Sequence, residues 1–297
     1  MLIQVFIRDK KKPIKSINEM TMSLDFQIVS GVKFPKLWDR NKIDFALNYE
    51  PKSGDKFVVT YPKAGTTWTQ QIMNLISNNG VFGENDKYVM GTAYLEYSGP
   101  EVQTFPAIKT HIPFDVIPRR DDAKYLLVFR NPKDCCVSSY YHALNNYPEL
   151  IGDFHQYFQH WIKGDVCYGD YFTHVYDYWS HRFDKNFDFL VYEQMIENPR
   201  EAVLKIARFM GQEFIERLAS NEVLLNEIIR KSSIVSMKSQ LNLCTEDQIF
   251  MRKGIVGDWR DHFDKEESDL IDNRIATEFE GTGLDTLWSN HIKWNIE

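Results

Sequence analysis

The chain has 297 residues, 43% of them apolar and 14% aromatic, enough to bury a large core as one big α/β domain or two small ones. The formal charge of −7 argues against general binding to nucleic acid or an anionic membrane and leaves room for a local basic pocket. No apolar run reaches the length of about 18 residues that a membrane span needs, Arg8 and Lys10 to Lys12 end the apolar start before a signal core can form, and Cys135, Cys136, Cys167 and Cys244 show neither disulfide nor metal spacing, so the expectation is a soluble, intracellular protein with reduced thiols.

Residues 1–30 carry no motif and read as a flexible arm or an edge element. No Gly/Ser/Pro-rich linker divides the rest of the chain, and 31–297 is expected to be a single domain. Residues 32–48, with Phe34, Trp38 and Phe45, read as a cover over the core or over a pocket mouth. Phe57-Val58-Val59 then reads as a buried parallel strand, and Gln70 to Ile76 repeats its apolar positions at helical spacing.

Between them lies Thr60-Tyr-Pro-Lys-Ala-Gly-Thr-Thr-Trp68, a strand, a turn and a helix start. Backbone N–H groups in the first turn of a helix have no intrahelical partner and carry partial positive charge, so the arrangement suits a phosphate or sulfate. Gly65 lets the backbone approach, Thr66 and Thr67 bring hydroxyls, and Lys63 brings a full charge. An ordinary βα loop with a threonine cap fits the same residues. A Walker A loop does not, because it needs lysine directly after its second glycine, and here Lys63 precedes Gly65.

The stretch from Gly80 to Phe105, with Tyr88, Tyr94 and Tyr97, has no clear period and reads as a binding loop, a lid or filler. Ile108 and its neighbours form a short strand ended by Pro113, which puts Lys109 and His111 on one face at its carboxyl end. A lone histidine is usually a hydrogen-bonded core residue; the lysine two positions away makes a functional pair of basic groups a stronger reading. Tyr125 to Phe129 is the clearest buried strand and delivers Arg130 to its end. Asn131-Pro132 turns into a helix with Asp134 in its first turn and Ser138 and Ser139 beyond it. Arginine's planar fork makes Arg130 and a serine a second phosphate site, or else an ion pair and a cap. Residues 154–187 are dense in aromatics, suited to core packing with a few left for an acceptor pocket. A strand over 187–192, a helix over 200–210, a basic segment around Arg252-Lys253-Gly254 and a helix over 265–279 complete the chain.

Taken together, Tyr61-Pro-Lys-Ala-Gly-Thr-Thr-Trp68, Lys109-Thr-His111, Arg130-Asn-Pro-Lys-Asp134 with Ser138, and Arg252-Lys-Gly-x-x-Gly-Asp-Trp259 resemble the cytosolic sulfotransferases that use 3′-phosphoadenosine 5′-phosphosulfate (PAPS). The resemblance covers residues 34 to 290. It implies a P-loop-like three-layer α/β fold with a central parallel sheet flanked by helices. It further implies a PAPS site in which Lys63, Ala64, Gly65, Thr66 and Thr67 hold the 5′-phosphosulfate. Arg130, Ser138, Arg252, Lys253 and Gly254 would hold the 3′-phosphate, and Trp68, Tyr192, Ser232 and Met237 would line the adenine.

The implied reaction moves a sulfuryl group to a hydroxyl or amine of a small, aromatic or steroid-like acceptor. His111 is expected as the general base, with Lys63 and Lys109 stabilising charge and no metal required; Phe34, Tyr94 and Tyr141 are placed in the acceptor pocket. The chain departs from the family pattern at Ala64, often serine, and at Ile234, where an aromatic residue often stacks on adenine. The family's dimer signature is not matched over 260–269, which leaves monomer or dimer open.

Overall fold

The computed structural model describes residues 25–82, 93–241 and 253–294. It opens with an antiparallel hairpin, β1 (Phe26–Val29) and β2 (Val32–Pro35), so the last residues of the expected arm form a strand, while residues 1–24 lie outside the described part. Next come α1 (Arg40–Leu47), β3 (Lys56–Thr60), α2 (Thr66–Ser77), α3 (Leu95–Ser98), β4 (Ile108–Thr110) and β5 (Lys124–Phe129). Helices α4 (Pro132–Asn146), α5 (Phe154–Trp161) and α6 (Tyr171–Ser180) precede β6 (Phe187–Val191). After it come α7 (Tyr192–Glu197), α8 (Pro199–Met210), α9 (Gln212–Ala219), α10 (Glu222–Lys231), α11 (Ile234–Leu241) and α12 (Lys265–Glu278).

The central sheet is parallel throughout, in the order β4-β3-β5-β6. Strand residues buried on both faces read as continuous apolar runs, and alternation divides them between two layers. Phe57, Val59, Tyr125, Leu127 and Phe129 join the cluster built with α4, α5, α6 and α12, whereas Val58, Leu126, Val128 and Leu190 join the one built with α2, α8 and α10. Helices therefore cover both faces, giving the expected three layers. In-register Phe57, Tyr125 and Phe187 stack across three strands with centroids 5.0 and 4.9 Å apart, each ring pair adding about 0.5–1.5 kcal/mol beyond the area it buries.

From β3 the chain first builds β4 on one side, then returns to build β5 on the other. Adjacent strand ends with diverging connections leave a crevice at their carboxyl edge, and Thr60, His111 and Arg130 stand there. Two boundaries differ from the sequence reading. Helix α2 starts at Thr66, ahead of the apolar repeat at Gln70, because its first turn faces the crevice with hydroxyls that carry no hydrophobic period. Strand β6 stops at Val191, and Tyr192 opens α7. Among the described residues no helix is long and apolar enough to cross a membrane.

Candidate active site

The turn after β3 has the backbone of an anion cradle. Lys63 and Gly65 both take positive φ, 71° and 114°; for a lysine this conformation is strained, and such strain gathers at functional sites. Gly65 stands at the N-cap of α2 without any side-chain cap hydrogen bond, so the N-cap residue itself puts no side chain before the helix's first N–H groups. A Cβ on Gly65 would lie 2.9 Å from Cδ2 of Tyr192. The turn is fixed from behind: Arg130 donates from Nη1 to the Lys63 carbonyl at 2.9 Å, and the Cys135 thiol donates to the Pro62 carbonyl at 3.2 Å. Burial, then the Arg130 guanidinium, push Lys63 down from 10.5 to about 7.

His111 comes directly after β4 and continues its register with β3, where Val59 faces Thr110. Its Nδ1 lies 2.8 Å from the Thr60 carbonyl oxygen and 3.1 Å from Thr60 Oγ1. A carbonyl only accepts, so Nδ1 carries the ring proton and Nε2 keeps its lone pair. Thr60 Oγ1 is also 2.6 Å from Thr66 Oγ1, which ties the imidazole to the first residue of α2. Burial holds the ring neutral, down at about 3. His174 Nε2 donates to the His111 carbonyl at 3.0 Å, and the rings of Tyr94 and Tyr168 meet His111 edge-on at 5.2 and 5.3 Å. The two phenols are themselves 2.5 Å apart, oxygen to oxygen. The Lys109 ammonium lies 5.0 Å above the Tyr94 ring, so both basic residues of the Lys109-Thr-His111 motif converge on that tyrosine, and burial pushes Lys109 down to about 7.

Arg130 is buried, stacks at 4.3 Å on Tyr192 and leaves Nε without a partner among the described residues. Asp134 is the acid in the first turn of α4, as expected, and Asn131 caps the helix, accepting the Asp134 N–H at 2.8 Å. Asp134 reaches across the fold and accepts from the backbone N–H groups of Gly257 at 2.7 Å and Trp259 at 3.0 Å. Glu193 holds the other end, accepting from Asn131 N and Nδ2 at 2.9 and 2.7 Å and from Trp288 Nε1 at 3.1 Å. This buried set binds the segment that carries Lys253 and Gly254 to the strand end that carries Arg130. The Lys253 ammonium is engaged by Asp258 and lies 3.5 Å from Asp261, Gly254 backs onto Ile234, and Arg252 lies outside the described residues.

The residues expected around adenine are also brought together. Trp68 meets Tyr192 edge-on at 5.4 Å and donates to the Ser232 carbonyl at 2.9 Å, and Met237 shares their cluster. Ser138, on α4, is partly buried. Of the residues placed in the acceptor pocket, Tyr94 touches His111, and Phe34 is fully buried behind Tyr168 at 5.5 Å. Tyr141 meets Tyr140 and His262, at 5.0 and 5.4 Å.

Sequence reasoning passed over Glu96, Thr60, Tyr168 and His142. His142 touches solvent yet is crowded, and burial, then Lys63, His111 and Lys109, hold it well below the ordinary imidazole value. Its spacing of one helical turn from Ser138 was the available signal; Tyr168 offered none. The assembled donor set is basic, with Lys63, Lys109 and Arg130 near an uncapped helix start and one guanidinium nitrogen orphaned among the described residues. An anionic nucleotide fits it.

The family model described as "Sulfotransferase domain" matches residues 53–283. Sulfotransferase 1C2 of Oryctolagus cuniculus is 32% identical over 265 residues, covering 80% of this chain and 87% of that protein. The amine sulfotransferase of the same species is 29% identical over 280 residues, covering 84% and 91%. Mouse sulfotransferase SULT7A1, crystallised with PAP, superposes with a TM-score of 0.74 at 25% identity, covering 90% of this chain and 98% of that one. The chain belongs to the sulfotransferase family.

Proposed function

We propose that this protein moves a sulfuryl group from PAPS to a hydroxyl or amine of a small, aromatic or steroid-like acceptor, with His111 as general base. The observation that carries the reading is the His111 tautomer. With Nδ1–H committed to the Thr60 carbonyl, Nε2 is the atom that takes the acceptor's proton, and a well-placed base is worth about 10²–10⁴-fold in rate.

PAPS would supply the activated sulfuryl group and, with its 3′-phosphate, a second anionic anchor. The chain's part is to bind, orient and neutralise. The uncapped start of α2 and Lys63 would cradle the 5′ end, where charge builds on the departing phosphate oxygen, and Lys109 would face the moving group. Arg130, whose Nε is buried and unpartnered among the described residues, and Ser138 would grip the 3′-phosphate, with Lys253 and Gly254 closing over it. Trp68, Tyr192, Ser232 and Met237 would bound the base. Positioning and charge stabilisation carry most of the rate in such transfers. The polar pair Tyr94 and Tyr168 beside His111 suits an acceptor that presents a hydroxyl or amine, and one relative is named an amine sulfotransferase.

Titration calorimetry with adenosine 3′,5′-bisphosphate (PAP) and, separately, with ATP and Mg²⁺ tests the donor. Tight binding of PAP with weak binding of ATP–Mg²⁺ is expected; the reverse order would make the chain a nucleotide-triphosphate enzyme on this fold.

A further inference from the structure

We propose that Glu96 is a positioning residue for the reaction centre: a carboxylate sealed behind the crevice that fixes the His111 main chain and balances the Lys109 ammonium. The proposal rests on the reading of His111 as the general base. Glu96 has no solvent exposure. Its Oε1 accepts the His111 backbone N–H at 2.8 Å, and its Oε2 has no hydrogen-bond partner among the described residues. An acid in that state is expensive to bury, and so is a cation in the same crevice. Each lowers the other's burden.

The location gives the carboxylate its use. Residues 93–98 are stitched to β4, with Lys109 N–H donating to the Ala93 carbonyl at 2.7 Å and Tyr94 bridged to Lys109. Tyr94 of this segment covers Lys109 and His111, while Glu96 grips the chain between them. The groups converging on Lys109 are Glu96 and Tyr94 from this segment, Lys63 from the β3–α2 turn, His111 from the end of β4 and His142 from α4; His174 from α6 and Tyr168 stand behind His111. Among the described residues Glu96 is the only carboxylate in that set. Placed behind the strand instead of within the cradle, it offsets repulsion among the cations without competing for the place an anion takes. Burial raises its carboxyl to about 7, opposed by the His111 N–H and the Thr110 hydroxyl.

Glu96→Gln keeps an oxygen for the His111 N–H and removes the charge. In protein labelled with ¹⁵N-lysine, with the Lys109 Nζ assigned through Lys109→Arg, the Lys109 titration is expected to move down, as loss of the opposite charge that raises it requires. The alkaline limb of kcat/KM for PAPS should move with it, kcat falling more than KM rises. If Glu96→Gln does not fold, Glu96→Asp, with its carboxylate drawn back from the His111 N–H, should move the same two readouts in the same direction by less. A Lys109 titration and pH profile identical to wild type would overturn the proposal. His111→Ala, run alongside, separates the two ideas: full turnover in that variant sinks the His111 reading, whereas an inactive His111→Ala beside an unperturbed Glu96→Gln sinks only the role of Glu96.

Discussion

At pH 8 the free site holds Lys63 and Lys109 mostly as neutral amines, so filling it with PAP should draw protons from solution. Both ammonium groups are brought from 10.5 to about 7, burial being the largest cause for each. A group titrating there is about nine-tenths deprotonated one pH unit higher. An anion in the cradle restores the charged form, because opposite charge at short range favours it. Binding at pH 8 should therefore take up about one to two protons, and Kd should rise about tenfold per pH unit for each proton above neutrality, about 1.4 kcal/mol per unit. Below pH 6 the lysines are already charged and the uptake should vanish. His111, held near 3, contributes nothing at pH 8. Glu96, raised to about 7, adds uptake of the same sign, so Lys63→Met is the discriminating variant and should lower the count by close to one. Calorimetry at pH 8 in buffers of different ionisation enthalpy reads the protons directly. Buffer-independent heats with a flat Kd from pH 7 to 9 would refute the reasoning.

Three further outcomes are expected. Arg130→Lys should weaken PAP by about 10–100-fold and adenosine 5′-monophosphate by clearly less, since hydrogen bonds to a charged group are worth about 1.5–3 kcal/mol, a lysine cannot reproduce the fork, and both nucleotides lose the Arg130 support of the Lys63 turn; competition binding with both nucleotides checks it. Gly65→Ala should lose about 1–2 kcal/mol of stability from the left-handed backbone alone, and more as its Cβ meets the Tyr192 ring; thermal melts with and without PAP separate the strain from lost binding. Asp134→Ala should leave the Gly257 and Trp259 N–H groups unpaired, at about 1–3 kcal/mol per buried donor. Hydrogen exchange should then rise over 253–263 and PAP affinity should fall.

The strands were legible because a parallel sheet buried on both faces leaves unbroken apolar runs, as at 57–59 and 125–129. Their carboxyl ends then placed Lys63, His111 and Arg130 in one crevice, and the alternation of strand side chains paired Lys109 with His111. Other features escaped the sequence for physical reasons. Helix α2 begins among threonines that face the crevice, where no hydrophobic period exists to read. Asp134 looked like a helix-start acid, and only the folded chain shows it holding a segment more than a hundred residues away. Glu96 sits in a helix of one turn within an aperiodic stretch, and Tyr168 lies between helices; nothing local marks either as a neighbour of His111.

The central claim is tested most directly by single-turnover transfer of radiolabelled sulfate from PAPS to a panel of phenols, alcohols and amines, with wild type and His111→Ala side by side. Labelled product is expected with wild type, with a loss of about 10²–10⁴-fold in His111→Ala and PAP affinity unchanged between them. Transfer by His111→Ala within a few-fold of wild type, or no labelled product from wild type that binds PAP tightly, would contradict the claim.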